Sequence, residues 1–549
     1  MPSSPYTPDF DATVTKALDR WHIPGVSFSI VHADDTWSKG YGSAQLQSEN
    51  SKPVSPHTTL FYAASTTKAQ LCAAWAIYIA SDANTRKPKD QQITFSTPLA
   101  DIIREDFVLA DPIRTVQVTL EDAVSHRTGL PRHELSYGYE DKKTVQGLVR
   151  NLRNLPFHNE LRAEFEYCNT PFVAASHALE TVTGISLVDY LREVLWEPLE
   201  MERTFGGYGE AAAAVQKDAS SGEALMLAKG YTWTRLPTDP DDSQGHFEEE
   251  AYMDFPEISG AGWAISTADD YAKWMRAWLG PTSSSTGNVG KTPLTEDMIK
   301  ELWKPRSIVP QSDHDSAPFD GIMTYGLGWF ISMYKGHMVY WHPGGVTGAG
   351  SLVVLVPDIQ WAVSFFANGD NGGGKMKGLA IELLDRALGI PESERTGMKK
   401  TDDSVMALYK EMSEGYTKAR SERFEAAQSP NAKKVGITLP IEHYAGTYRN
   451  KAYGPLTFTV SSESPASLNC FISDRTWARN HTLEHVNAQH WFATTCGEHS
   501  ALKSGAKAEV RLGVDGEVEA IGVAMEPSLP DDLFWFEKER QGEEGEEGV

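Results

Sequence analysis

Cysteine is scarce: four are scattered through 549 residues. So few thiols make no disulfide framework. Cys72 falls in an apolar helical pattern and reads as a buried thiol, while Cys168, Cys470 and Cys496 lack metal-ligand spacing. No apolar run reaches the roughly 18 residues a membrane span needs. The first eleven residues are polar, hold three prolines and carry no basic flank, unlike a signal peptide. Basic charge is also short, with 50 Lys and Arg against 75 Asp and Glu, a net charge of −25. Such a surface repels phosphate backbones and excludes nucleic acid as a partner. Part of the excess lies in a tail from Glu537 to Val549, which reads as a solvated, frayed end. These absences together predict a soluble cytoplasmic protein in a reducing compartment.

What remains is a chain long enough for two or three domains. Val14, Leu18 and Trp21 are three to four apart, which predicts a helix from Phe10 to Trp21, stopped by Pro24-Gly25. Val26 to His32 and Thr36 to Gly42 read as a hairpin. Met338 to His342, Ser351 to Val356 and Trp361 to Ala367 read as three more strands, followed by an amphipathic helix from Met376 to Leu388. The middle, about 65 to 305, is mostly helical. The fold class predicted is therefore α+β: an antiparallel sheet flanked by helices with a helical insert, over residues 1–390. Residues 391–435 are polar, carry one weak helical stripe through Val405, Leu408, Met412 and Tyr416, and look like a linker. Residues 436–549 read as a small all-β domain. Its expected strands are Leu456 to Val460, Trp491 to Thr495, Glu509 to Val514, Val518 to Ala524 and Leu533 to Phe536, with Asp515-Gly516 as a turn.

Three short motifs carry chemistry. In Ser65-Thr66-Thr67-Lys68, helical spacing puts the amine one turn from the hydroxyl. Leu71 to Ala80 is apolar all round, so the helix is buried, and burial lowers a Lys pKa until the amine can take a Ser proton. The S-x-x-K pattern also occurs at Ser332, Ser500 and Ser504, but only Ser65 opens a buried helix. Alone, it fits a Ser cap with a snorkelling Lys equally well. Tyr167-Cys168-Asn169 offers a phenol and an amide two residues apart, or merely a half-buried turn. Trp341-His342-Pro343-Gly344-Gly345 ends a strand with glycines that admit a substrate to the backbone, or simply form a turn.

In this order, the three motifs resemble those of the serine β-lactamase and penicillin-binding-protein family, in its class C-like branch. Flanking segments agree: Ala123 to Pro131, Leu195 to Met201, Ser259 to Asp270 and Tyr325 to Trp329 are similar to family segments. The segment opening Tyr444-Ala445-Gly446-Thr447-Tyr448 resembles the lipocalin-like barrel appended to many such hydrolases.

The resemblance implies that Ser65 is acylated, that Lys68 and Tyr167 share proton transfer, and that Asn169 orients Lys68 and the substrate. It places Gly344 and Gly345 on the binding strand, with the Ser65 and Gly345 N–H groups as the oxyanion hole. His342 replaces the family's motif lysine. A neutral imidazole is a poor site for a substrate carboxylate, so esters, amides or peptides without one are expected. The reading is a serine hydrolase acting on a small-molecule or peptide substrate, without metal or organic cofactor. An acyltransferase and a silent binding protein on the same fold are the alternatives. His481 and His485 lie in a strand-rich stretch and would not share a helical face. The acidic run Asp239 to Glu257 reads as a solvated loop able to act as a lid, and Gly372 to Lys375 as a turn. With all three motifs before residue 435, a chain cut there is expected to keep a working site.

Overall fold

The computed structural model describes residues 4–46, 52–219, 224–280, 292–310 and 318–540. The end of the acidic tail and residues 1–3, 47–51, 220–223, 281–291 and 311–317 lie outside these residues.

A nine-stranded sheet organises the first part of the chain, with Gly25–His32 between Trp361–Ala367 and Asp35–Gln45. Its pairs are antiparallel. The central strands are buried on both faces because helices cover both. Phe365 meets Phe28, which in turn meets Phe10 of the helix Pro8–Trp21. The next residue, Phe366, points the opposite way and meets Tyr271 of the helix Ala268–Leu279. The two serines that alternate with apolar residues in the first strand are therefore buried as well. Ser29 pairs with Ser364 across the sheet at 2.7 Å. The helix Pro8–Trp21 starts where Thr7 caps the Phe10 N–H and ends at His22 in the left-handed conformation.

The segment expected to be a linker holds one of the molecule's long helices, Gly397–Gln428, 32 residues in all. Only part of the anticipated stripe is buried: Val405 packs inward, while Met412 is exposed. Tyr416 and Phe424 reach Phe492 of the C-terminal domain, and Arg420 pairs with Glu484 at 2.7 Å. The segment is thus a strut packed along the barrel.

Eight strands close the C-terminal barrel, the last pairing with the first through Tyr448 and Lys538. Five were expected. The other three are Gly446–Asn450, Ser467–Ile472 and Arg479–Asn487. Arg479–Asn487 buries only His481 and Leu483 of its nine residues, so it has no apolar alternation to read. The acidic run expected as a lid contributes to a small hairpin, Tyr231–Trp233 with Phe247–Glu249, and none of its eight carboxylates lines the cleft described next. Gly372–Lys375 is one helical turn packed against the sheet. No described helix is long and apolar enough to cross a membrane.

Candidate active site

Ser65 lies in a tight turn, Ala64–Thr66, that runs directly into the helix Thr67–Ala80. That helix is buried nearly all round, as its apolar sequence requires, and Lys68 is fully buried with it. The Lys68 Nζ lies 3.1 Å from Ser65 Oγ, 2.8 Å from Asn169 Oδ1 and 2.7 Å from the Ala261 carbonyl. Burial, reinforced by the nearby Arg132 guanidinium, holds the Lys68 pKa well below its ordinary value. Burial pushes the Tyr167 pKa up to about 12, although the neighbouring Ser65 hydroxyl and Arg132 guanidinium act to lower it. Asn169 immediately precedes the helix Thr170–Thr183 but makes no cap with its side chain, which leaves the amide for Lys68.

The strand His337–Val346 passes close against the turn that holds Ser65. A Cβ on Gly344 would sit 2.6 Å from the Ala63 carbonyl oxygen and 2.2 Å from Ser351 Oγ. Glycine is required there by contact. At Gly345 the corresponding space is open, and the residue is exposed to the cleft.

His342 does not stand where the sequence reading put it. Alternation along the strand turns Trp341, Pro343 and Gly345 toward the cleft and His342 away from it. The imidazole is fully buried, with Nε2 3.0 Å from the Tyr325 hydroxyl and Nδ1 2.6 Å from the Pro343 carbonyl. Burial drives its pKa down to about 3, so it is neutral and does not line the substrate space. The expectation that its neutrality selects against carboxylates therefore loses its basis.

Residues that no sequence motif pointed to supply the cleft's charge. Arg132 lies 5.0 Å over the Tyr167 ring and pairs with Glu134 at 2.6 Å. Asn169 Nδ2 donates to the same Glu134 carboxylate at 3.4 Å. Lys377 and Asp370 also line the space, as do Trp477 and Arg479 from the barrel. The cavity measures about 520 Å³ and has aromatic walls at Phe165, Phe330, Trp341 and Trp477. The remaining S-x-x-K copies are structural or distant: Ser332 is buried and accepts a hydrogen bond from Trp341, and Ser504 lies in a barrel strand.

A family model described as Beta-lactamase matches residues 10–388, the part of the chain that holds this entire motif set. The chain belongs to the beta-lactamase family. A second model, described as a domain of unknown function (DUF3471), matches residues 431–538. The chain is 33% identical over 546 residues to "Unguisins hydrolase ungD'" of Aspergillus campestris (strain IBT 28561), covering 97% of this chain and 92% of that one. It is 34% identical over 541 residues to "Unguisins hydrolase ungD" of Aspergillus violaceofuscus (strain CBS 115571), covering 96% and 89%. The fold matches the octameric penicillin-binding protein homologue from Pyrococcus abyssi at a TM-score of 0.56 and 16% identity, covering 96% of this chain and 99% of that one. The chain is a serine hydrolase of this family.

Proposed function

We propose that this hydrolase cleaves an amide bond in a peptide-like substrate through an acyl-enzyme on Ser65. The observation that carries the reading is the set of partners around Lys68. A neutral amine has two N–H donors and one lone pair. Asn169 Oδ1 and the Ala261 carbonyl only accept, so they take the two N–H groups. The lone pair is left facing Ser65 Oγ at 3.1 Å, and the lowered Lys68 pKa favours that neutral form. Lys68 then takes the Ser65 proton as Oγ attacks the carbonyl carbon. The Ser65 and Gly345 N–H groups receive the oxyanion.

The choice of an amide rests on Tyr167. An amine leaves only when its nitrogen is protonated, and a phenol with a pKa pushed up to about 12 holds its proton at neutral pH for that transfer. Lys68 returns a proton to the phenolate. Water then attacks the acyl carbonyl, losing its proton to the same pair, and Ser65 is released. A cavity of about 520 Å³ with aromatic walls and ionic groups of both signs suits a substrate of several residues rather than a small ester. The similarity to the two unguisins hydrolases makes unguisins the first compounds to test.

Incubation with unguisins and with peptide amides, followed by mass spectrometry, tests the reading. Hydrolysis adds one water to the cleaved bond. Wild-type protein should also be labelled by a fluorophosphonate on Ser65, and Ser65→Ala should lose both labelling and turnover, with at least about 10³-fold less kcat. Retention of a tenth of the activity by Ser65→Ala would sink the mechanism.

A further inference from the structure

We propose that His126 is a positioning residue that holds Tyr167 and Asn169 in register with Ser65 and Lys68. This deepens the mechanism proposed above and rests on it. The chain from Phe165 to Cys168 has no regular secondary structure, so neither helix nor ladder hydrogen bonds fix Tyr167. Side chains such as Ser528 and Asn159 hold Glu166 from outside, but the backbone N–H groups on either side of Tyr167 are both held by one residue. The Glu166 N–H donates to the His126 carbonyl at 2.7 Å, and the Cys168 N–H donates to His126 Nδ1 at 3.1 Å. The two residues flanking Tyr167 are thus both bonded to His126. Between these bonds, the imidazole stacks on the Tyr167 ring, with centroids 4.2 Å apart and planes 29° apart. Cys168 also precedes Asn169, whose Oδ1 meets Lys68, so the same tether bears on Tyr167 and on one partner of the amine.

The geometry requires an unusual backbone. His126 has φ of +57°, a left-handed conformation that costs a non-glycine residue energy and persists where surrounding contacts enforce it. That turn lets one residue offer both its carbonyl and its ring nitrogen to the same segment. The ring is fully buried, and Lys68, His342 and Arg132 all oppose a positive charge there. Because Nδ1 accepts, the neutral ring carries its proton on Nε2, and Nε2 has no hydrogen-bond partner among the described residues. A residue selected only for packing would gain from an apolar side chain at such a position. The acceptor at Nδ1 is what an apolar side chain lacks, and without it the Cys168 N–H would be buried and unpaired.

The test uses the full chain and a fluorophosphonate probe, with the inactivation rate constant kinact and the binding constant KI measured separately. Asn tolerates a left-handed backbone and places a carbonyl oxygen close to where Nδ1 stands. His126→Ala should lower kinact about 10²-fold, the scale of a misplaced catalytic group, and leave KI unchanged. His126→Asn should recover most of that loss. His126→Gln, whose carboxamide is one bond too long, replaces Ala if the Ala variant does not fold. The inference is overturned if Ala or Gln labels at the wild-type rate, if Asn is no faster than they are, or if the loss falls in KI. Absence of Ser65 labelling in the wild type would instead refute the underlying mechanism, which keeps the two failures distinct.

Discussion

Replacing Gly344 by Ala adds one methyl group at the point where the binding strand touches the nucleophile turn. That methyl carbon would stand 2.6 Å from the Ala63 carbonyl oxygen, 2.2 Å from Ser351 Oγ and 3.1 Å from Ala64 Cβ. Ser351 has little room to yield, because its hydroxyl donates to the same Ala63 carbonyl at 2.6 Å. Ordinary contact begins near 3.4 Å, so strand and turn must separate by about 0.8 Å. The strand has no space behind it. On the glycine turn Gly372–Lys375, the Cβ position of Gly373 lies 2.9 Å from the Gly344 carbonyl oxygen and 2.7 Å from that of Ser351. The displacement therefore falls on Ala63–Ala64 and moves Ser65 with them. Overpacking of this kind costs about 1–3 kcal/mol of stability. A shift approaching 1 Å at the nucleophile costs about 10²-fold in rate. Fluorophosphonate labelling of Ser65 and thermal unfolding measure the two effects. Gly345→Ala is the control: nothing lies within 4 Å of its Cβ position, so its melting temperature should match the wild type. If Gly344→Ala labels Ser65 within about threefold of the wild-type rate, well under one decade, the strand does not set the nucleophile's position.

Two further predictions concern pH and the barrel. Lys68 is a base only when deprotonated, so labelling should fall as pH drops through its depressed pKa and level off above it; His342, held near 3, should add no step, and a limb near about 6.5 that disappears in His342→Gln would contradict this. A chain ending near residue 435 should melt earlier and label more slowly than the full protein, because each buried polar group stripped of its barrel partner costs about 1–3 kcal/mol; equal melting and labelling would show the contacts to be idle.

The proposed catalytic residues were legible because the chemistry assigned to them depends on local spacing. Ser65 and Lys68 are one turn apart, and a wholly apolar continuation announces the burial that tunes the amine. Tyr167 and Asn169 were legible as a pair, but their direction was not. His126 was visible only as part of a family-like segment, since its role depends on a bond to Cys168, 42 residues away. His342 misled because a strand shows the period of its side chains but not which parity faces the substrate. Arg132 and Glu134 line the cleft from a segment with no pattern that distinguishes a cleft residue from a surface one. The helix Gly397–Gln428 was understated because its outer positions are polar and only a few residues are buried.

The barrel is where sequence and structure part most clearly. A compositional break near residue 435 suggested an attached module, and the motif order suggested that the site could do without it. The loop that carries Arg132 and Glu134 is nevertheless built on barrel atoms. The His133 N–H donates to Glu526 at 2.6 Å, and His133 Nδ1 lies 2.7 Å from the Tyr453 hydroxyl. The Tyr139 hydroxyl and the Asn151 amide both donate to the Ala452 carbonyl, at 2.8 and 2.9 Å. The Ser528 hydroxyl donates to Glu166, one residue from Tyr167, at 3.1 Å. His133 and Glu526 are almost wholly buried, and burial lowers the pKa of the first to about 4 and raises that of the second. Both groups owe that burial to the packing of the two regions against each other. The same packing brings Trp477 and Arg479 into the cleft wall. Removing the barrel would hydrate these groups, release the loop that orients Asn169 through Glu134, and open one side of the substrate space. The walls and charge of the cleft beside the three motifs are therefore shaped in part by the barrel.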